Sequence, residues 1–243
     1  MILADKHIVI TGATSGIGLE LVRALYDKNR ISIIARPSSR LTQFRQQFPN
    51  CMIFEADMGD MKQIELAANG LVQNDNDIDV LINNAAVQYT PTFLDDDFSY
   101  KRIETEVNTN FTSICCLCYL MLPLLTHEHE SAIVNINSGL GLVPKKNSAV
   151  YCGTKGGLSI FSQSLRNQLD HTNISVMQAF LPLVDTEMTH GRGKNKLSPE
   201  FVASEIIEGV EQKKLDHDIG KVKILRAINR LFPSLAAQLM KSS

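Results

Sequence analysis

Short apolar runs alternate with longer amphipathic stretches along most of the chain. Runs at 6–10, 31–35, 51–56, 78–82, 131–137 and 174–180 read as strands. Helical patterns are predicted from a Gly-rich turn to about residue 28, and over about 40–48, 59–74, 100–125 and 149–169. Most of the strands are apolar on both faces, as a parallel sheet covered by helices on both sides requires. The alternation implies right-handed crossovers and a doubly wound α/β fold. No internal repeat, low-complexity tract or interdomain linker interrupts the pattern, so residues 1–243 read as a single domain.

Two segments depart from the rhythm. Residues 186–199 are rich in Gly, Lys, Arg and Asn and read as a loop after the sixth strand, where a substrate lid would sit. With the loop at 87–98 it is expected to line the substrate pocket. From Lys221 onward the chain carries Lys221, Lys223, Arg226, Arg230 and Lys241 but no acid, and Ile224, Leu225, Ile228, Leu231 and Phe232 fall near helical spacing. A basic amphipathic helix over 221–240 is therefore predicted. It has two readings, a membrane-surface or partner helix and a terminal helix packed on its own core or at a subunit contact; the second is preferred.

Composition changes little in this picture. The chain is 44% hydrophobic and 21% charged, with 24 basic against 26 acidic residues, which gives no reason to expect a nucleic-acid partner. No apolar run approaches the roughly 20 residues needed to span a bilayer, and no signal peptide is evident. Five cysteines without a secretory signal suggest free thiols and a cytoplasmic protein. Cys115 and Cys118 have C-x-x-C spacing, which reads either as a redox or metal pair or as small apolar filler in a buried helix; the filler reading is preferred, and no metal is expected.

The first candidate chemistry is the turn Thr11-Gly12-Ala13-Thr14-Ser15-Gly16-Ile17-Gly18 between the first strand and its helix. Glycines there let the chain turn sharply and approach a pyrophosphate without a Cβ in the way. The helix N-terminus then offers N–H groups and a positive dipole end. An NAD site usually places an acid after the second strand. Here Ala35 is followed by Arg36, with Arg40 further on, and guanidinium groups suit a 2′-phosphate. NADP(H) is therefore expected in preference to NAD(H).

The second is Tyr151-Cys152-Gly153-Thr154-Lys155. On a helix, positions i and i+4 share a face, so the phenol and ammonium can enter one site. A free Tyr titrates near pH 10, and adjacent positive charge, from Lys155 and an oxidised nicotinamide, would favour its phenolate. Ser138, in the spacing Ser-(x12)-Tyr-(x3)-Lys, could donate to a substrate carbonyl oxygen.

With these motifs, and Asn83-Asn84-Ala85-Ala86 after the fourth strand, the sequence resembles the short-chain dehydrogenase/reductase family across about residues 5–235. The segment Leu181-Pro182-Leu183-Val184-Asp185-Thr186-Glu187-Met188 and the basic C-terminal stretch resemble the branch labelled DltE-like oxidoreductases. The resemblance implies a Rossmann-like sheet of about seven strands and a Ser138-Tyr151-Lys155 site acting on a small carbonyl or alcohol. It implies a cofactor site drawn from Gly12, Thr14, Ser15, Gly16, Ile17, Gly18, Arg36, Arg40, Asp57, Met58, Asn84, Ala85, Ala86, Tyr151, Lys155, Pro182, Val184 and Thr186. In it Asp57 contacts adenine, Lys155 the nicotinamide ribose and Thr186 the nicotinamide amide; Asn83 supports the central strand. The family's fourth catalytic residue, an Asn holding a water, maps to Asn110 in Val107-Asn108-Thr109-Asn110-Phe111-Thr112-Ser113, with Asn108 as the alternative. Pro182 stands where the family usually has Gly. The resemblance also implies a homodimer or homotetramer through the long helices around Asn110 and Ser159.

Carbonyl reduction is the expected reaction. Epimerase or dehydratase chemistry would ask for a longer chain and T-G-x-x-G-x-x-G spacing. A dinucleotide-responsive regulator would have no need of the proton-relay residues.

Overall fold

A computed structural model describes residues 1–74 and 77–241. Its sheet comprises β1 (His7–Thr11), β2 (Arg30–Ala35), β3 (Met52–Glu55), β4 (Val80–Asn83), β5 (Ser131–Ser138), β6 (Ile174–Leu181) and β7 (Asp216–Asp218). All seven strands are parallel, in the order β3-β2-β1-β4-β5-β6-β7. The order reverses between β1 and β4, and the crevice beyond the strands' carboxyl ends at such a switch point is where ligands bind in open α/β sheets.

Alternate residues of each strand feed opposite layers. Ile8, Ile10 and Ile33 join Leu21 and Val22 of α1 (Gly16–Leu25) and Val202 and Ile206 of α7 (Pro199–Glu211) on one face. Val9, Ile34 and Leu81 join Ile64 and Leu71 of α3 (Met61–Asn74) and Ile114 and Leu117 of α5 (Ser113–Leu125) on the other. Helix α2 (Ser39–Gln47) is capped by Ser38, whose side chain accepts from the Leu41 N–H.

Three expectations are corrected. The helical run Tyr100–Leu125, 26 residues, is long and apolar enough by length and composition to cross a bilayer. It is a core helix: Ile114, Leu117, Cys118, Met121 and Leu125 are buried in the second layer. Nor is it uniform, because α4 (Tyr100–Val107) passes through a π-helical turn, Asn108–Thr112, into α5. Residues 221–240 form two helices, α8 (Val222–Leu231) and α9 (Pro233–Lys241). Pro233 disfavours helical backbone at Phe232, which adopts φ −139° and ψ 67°.

Helix α6 (Ala149–Gln168) carries the Tyr151 segment. The loop between β6 and α7 holds one short 3₁₀ turn, Glu187–Thr189, and is pinned at its neck by a parallel bridge between Val184 and Leu197.

Candidate active site

The glycine turn is closed against the end of β4. Gly12 has φ +68°, and a Cβ there would lie 2.8 Å from the Ala85 Cα. On Gly18 a Cβ would meet the Gly12 carbonyl oxygen at 2.4 Å. The Asn84 amide donates to the carbonyls of Thr11 (3.0 Å) and Gly12 (3.1 Å), while Thr11 Oγ1 accepts from the N–H groups of Asn84 and Ala85. Both Asn84 side-chain N–H bonds thus brace the turn, and its backbone N–H is held by Thr11, leaving its side-chain and backbone carbonyl oxygens for a cofactor. Helix α1 starts behind Ser15 with no side-chain cap and no acid in its first turn. That is an uncompensated positive end of the kind that holds a phosphate.

At the far end of the crevice, Arg36 is exposed and lies 3.8 Å from an Asp57 carboxylate oxygen. Arg40 pairs with Glu187 from the loop after β6. The Asp57 side chain accepts from the Gly59 N–H at 2.8 Å. Met58 and Val184 bury their side chains in the apolar layers, so what they offer a ligand is backbone. Thr186 caps the Glu187–Thr189 turn, and its Cγ2 would lie 3.1 Å from a Cβ on Gly16. Pro182 packs towards Gly220, where a Cβ would meet its Cγ at 3.6 Å. Pro182 thus fills space at the end of β6 beside a residue with φ +56°.

The reactive side chains meet at the carboxyl ends of β5 and β6. Ser138 ends β5, and its hydroxyl accepts from the Leu140 N–H at 3.1 Å. The loop after it lies tight on α6, where a Cβ on Gly141 would stand 2.8 Å from the Lys155 carbonyl oxygen. This close approach brings the Ser138 hydroxyl into a hydrogen bond with the Tyr151 phenol. The Lys155 Nζ lies 5.8 Å from the Tyr151 ring centroid and donates to the Ile136 carbonyl at 2.8 Å.

Sequence reasoning expected the phenol to be lowered by nearby positive charge. Among the protein's own groups, burial wins and pushes Tyr151 up to about 12, with the Ser138 hydrogen bond pulling the other way. Burial also pulls the Lys155 ammonium down to about 8.

Asn110 stands in the π-helical turn, fully buried. Its Oδ1 accepts from the Val87 N–H (2.9 Å), and its Nδ2 donates to the Val87 carbonyl (2.8 Å) and reaches Thr154 Oγ1 at 3.4 Å. It therefore joins the loop after β4 to the helix bearing Tyr151. Asn108 is half-buried and makes no such link. Since the Asn110 side chain is committed to these bonds, a water held at this position would bind through backbone.

Three further residues bear on the site. Glu106 is buried, accepts from the Tyr89 N–H at 2.7 Å, and is raised by burial. Its charge, like that of Arg192, bears on Tyr151. Lys145 neighbours Cys152. Glu106 lies one helical turn before Asn110, a spacing that could have flagged it; Lys145 and Arg192 carry no local signal.

The cysteine pair behaves as filler. Cys118 is buried against the Asn83 amide, and burial pushes its thiol up to about 12 and that of Cys115 up to about 11, against the thiolate that redox chemistry needs. Asn83 also donates to Asn135 Oδ1 at 2.8 Å, joining β4 to β5 as a strand support should.

Residues 6–197 match the family described as short chain dehydrogenase. The Bacillus subtilis protein named uncharacterized oxidoreductase DltE is 32% identical over 237 residues, 95% of this chain and 94% of that one. A Schizosaccharomyces pombe protein named NADP-dependent 3-hydroxy acid dehydrogenase is 28% identical over 226 residues, 84% of this chain and 86% of that one. Among solved structures, a short chain dehydrogenase from Burkholderia cenocepacia in complex with NADP superposes with a TM-score of 0.88 at 20% identity, covering 99% of this chain and 100% of that one.

Proposed function

Since the chain belongs to the short-chain dehydrogenase family, we propose that this oxidoreductase reduces a small ketone or aldehyde with NADPH. The observation that carries the reading is the meeting of Ser138, Tyr151 and Lys155 at the mouth of a crevice floored by the glycine turn.

The residues fit a dinucleotide. The turn excludes Cβ atoms where a pyrophosphate would approach, the N-terminus of α1 is free of acid, and Arg36 and Arg40 supply guanidinium groups where a 2′-phosphate would lie. When bound, NADPH supplies the hydride. The name of the fission-yeast relative, which includes NADP, supports the same preference.

The protein's own part is to place and protonate. Ser138 donates to the substrate's carbonyl oxygen and holds it against Tyr151. Tyr151, which burial keeps protonated well above neutral pH, delivers its proton to that oxygen as negative charge develops there. Lys155, steered by the Ile136 carbonyl, offers positive charge that makes the departing proton less costly and leaves donors for the nicotinamide ribose. A chain of backbone and water at Asn110 returns a proton to Tyr151. The loop at 186–199 closes over the substrate.

The test is NADPH oxidation by the purified chain across a panel of ketones and aldehydes. Turnover that disappears in Tyr151→Phe supports the reading. Tight NADPH binding with no turnover of any carbonyl would instead favour a dinucleotide-responsive regulator.

A further inference from the structure

Helix α8 packs against the protein along one side. Val222 is buried, and a Cβ on Gly139, in the turn after Ser138, would meet both Val222 Cγ2 and Leu225 Cδ2 at 3.3 Å. Arg226 binds the Asp218 carboxylate at 2.8 Å, and the Asn229 amide reaches the Leu142 carbonyl at 3.5 Å. These four residues share one helix face. The opposite face is bare: Ile224 is 62% exposed and Leu231, two turns on, 68%. Phe232, at the joint with α9, is 61% exposed, and Leu235 of α9 is exposed as well.

Exposed cations border this bare face. Lys223 and Arg230 stand one position before Ile224 and Leu231 and line one flank of the stripe; Lys221, a turn before Ile224, lies on the other. Arg226 is taken by Asp218, but among the described residues Lys221, Lys223, Arg230 and Lys241 have no acidic partner. From Lys221 onward the sequence holds no Asp or Glu. An apolar stripe between cations suits a helix lying in a lipid interface, where acyl chains take the apolar groups and anionic headgroups the cations. A second copy of the chain fits worse. Seated about a two-fold axis, it would set this face on itself, cation against cation.

We infer that α8 and α9 seat this protein on an anionic lipid surface, with Ile224, Leu231 and Phe232 entering the headgroup boundary and Lys221, Lys223 and Arg230 meeting lipid phosphates. The inference is independent of the reductase reading above. Because α8 rests on the turn that follows Ser138, the element that meets the lipid is joined by a packed contact to the end of β5.

The experiment is flotation of the full chain with vesicles, either of phosphatidylcholine alone or of phosphatidylcholine and phosphatidylglycerol in equal parts. Partition to the anionic vesicles is expected to exceed that to the neutral ones by about tenfold or more and to fall as salt is raised. Lys223→Gln with Arg230→Gln, and separately Ile224→Ser with Leu231→Ser, should each lower the anionic partition by about tenfold or more. The replaced side chains are exposed, so the thermal transition should stay close to wild type. No flotation with anionic vesicles, equal flotation with neutral ones, or flotation that neither double variant reduces overturns the inference. Light scattering tests the other occupant. An oligomeric state unchanged by Ile224→Ser with Leu231→Ser supports the lipid surface; an oligomer that this variant breaks into smaller species makes the face a subunit contact and overturns the inference.

Discussion

Arg40 and Glu187 form an ion pair that ties the first turn of α2 to the loop leaving β6. The pair crosses the outer end of the crevice, so a 2′-phosphate would compete with the Glu187 carboxylate for the same guanidinium. Exposed pairs of this kind contribute no more than about 1 kcal/mol. Glu187→Gln is therefore expected to tighten NADPH binding by up to about fivefold, with little effect on NADH. Arg40→Ala and Arg36→Ala should weaken NADPH by about tenfold or more while sparing NADH. Fluorescence titration with both nucleotides checks this. An NADPH-to-NADH ratio untouched by either alanine would defeat the assignment of the two arginines.

Tyr151→Phe keeps the ring and its packing but removes the proton donor. A loss in kcat of about 10²–10⁴ is expected, with NADPH still bound and the thermal transition close to wild type. Retained turnover in this variant would remove the phenol from the mechanism.

Lys155 carries a cost in stability. Its folded-state pKa is depressed from 10.5 to about 8 by burial. At neutral pH the unfolded chain therefore holds this proton more readily than the folded one, a difference of roughly 3 kcal/mol. Lys155→Met removes that cost but strands the Ile136 carbonyl, worth about 1–3 kcal/mol. The variant is expected to be inactive and a few °C more stable at pH 7. The unfolded state binds more protons between pH 8 and 10.5, so wild-type stability rises across that window and the variant's advantage shrinks. Thermal melts at pH 7 and 9.5 decide it: an advantage that is absent or independent of pH would contradict the buried-ammonium account.

Asn110→Ala leaves both the N–H and the carbonyl of Val87 without their side-chain partner. A destabilisation of roughly 2–4 kcal/mol is expected, with a matching loss of activity, whereas Asn108→Ala should cost well under half as much. Urea unfolding of the two variants distinguishes them. Equal costs would mean that the π-helical turn does not single out Asn110.

The sequence made the centre of the molecule readable because its constraints are local. A strand, a turn that tolerates no Cβ and a helix start lie within one short stretch, and Tyr151 and Lys155 share a face by spacing alone. The far edge was harder. β7, with the sequence Asp216-His217-Asp218, has no apolar run and exists by pairing with β6. Helix α7 did carry a start signal, Ser198 capping Phe201 ahead of Pro199, that the loop reading swept up. Of the charges around Tyr151, only Glu106 had a local signal, its spacing from Asn110. Glu106 reaches it from α4 and Arg192 from the loop after β6, and only the closed fold sets them together. The bracing by Asn84 was likewise hidden, since its partners lie in β1 and the turn.

The neck of the loop after β6 has one further consequence. The Asp185 N–H bonds the Leu197 carbonyl at 2.8 Å, and the Leu197 N–H bonds the Leu183 carbonyl at 3.1 Å. The intervening residues therefore leave and rejoin the scaffold at nearly the same point, so their number can change without altering the strand pairing beneath. A loop of another length could be spliced in at this neck without disturbing the pairing of β5 with β6 or the bond from Lys155 to the Ile136 carbonyl.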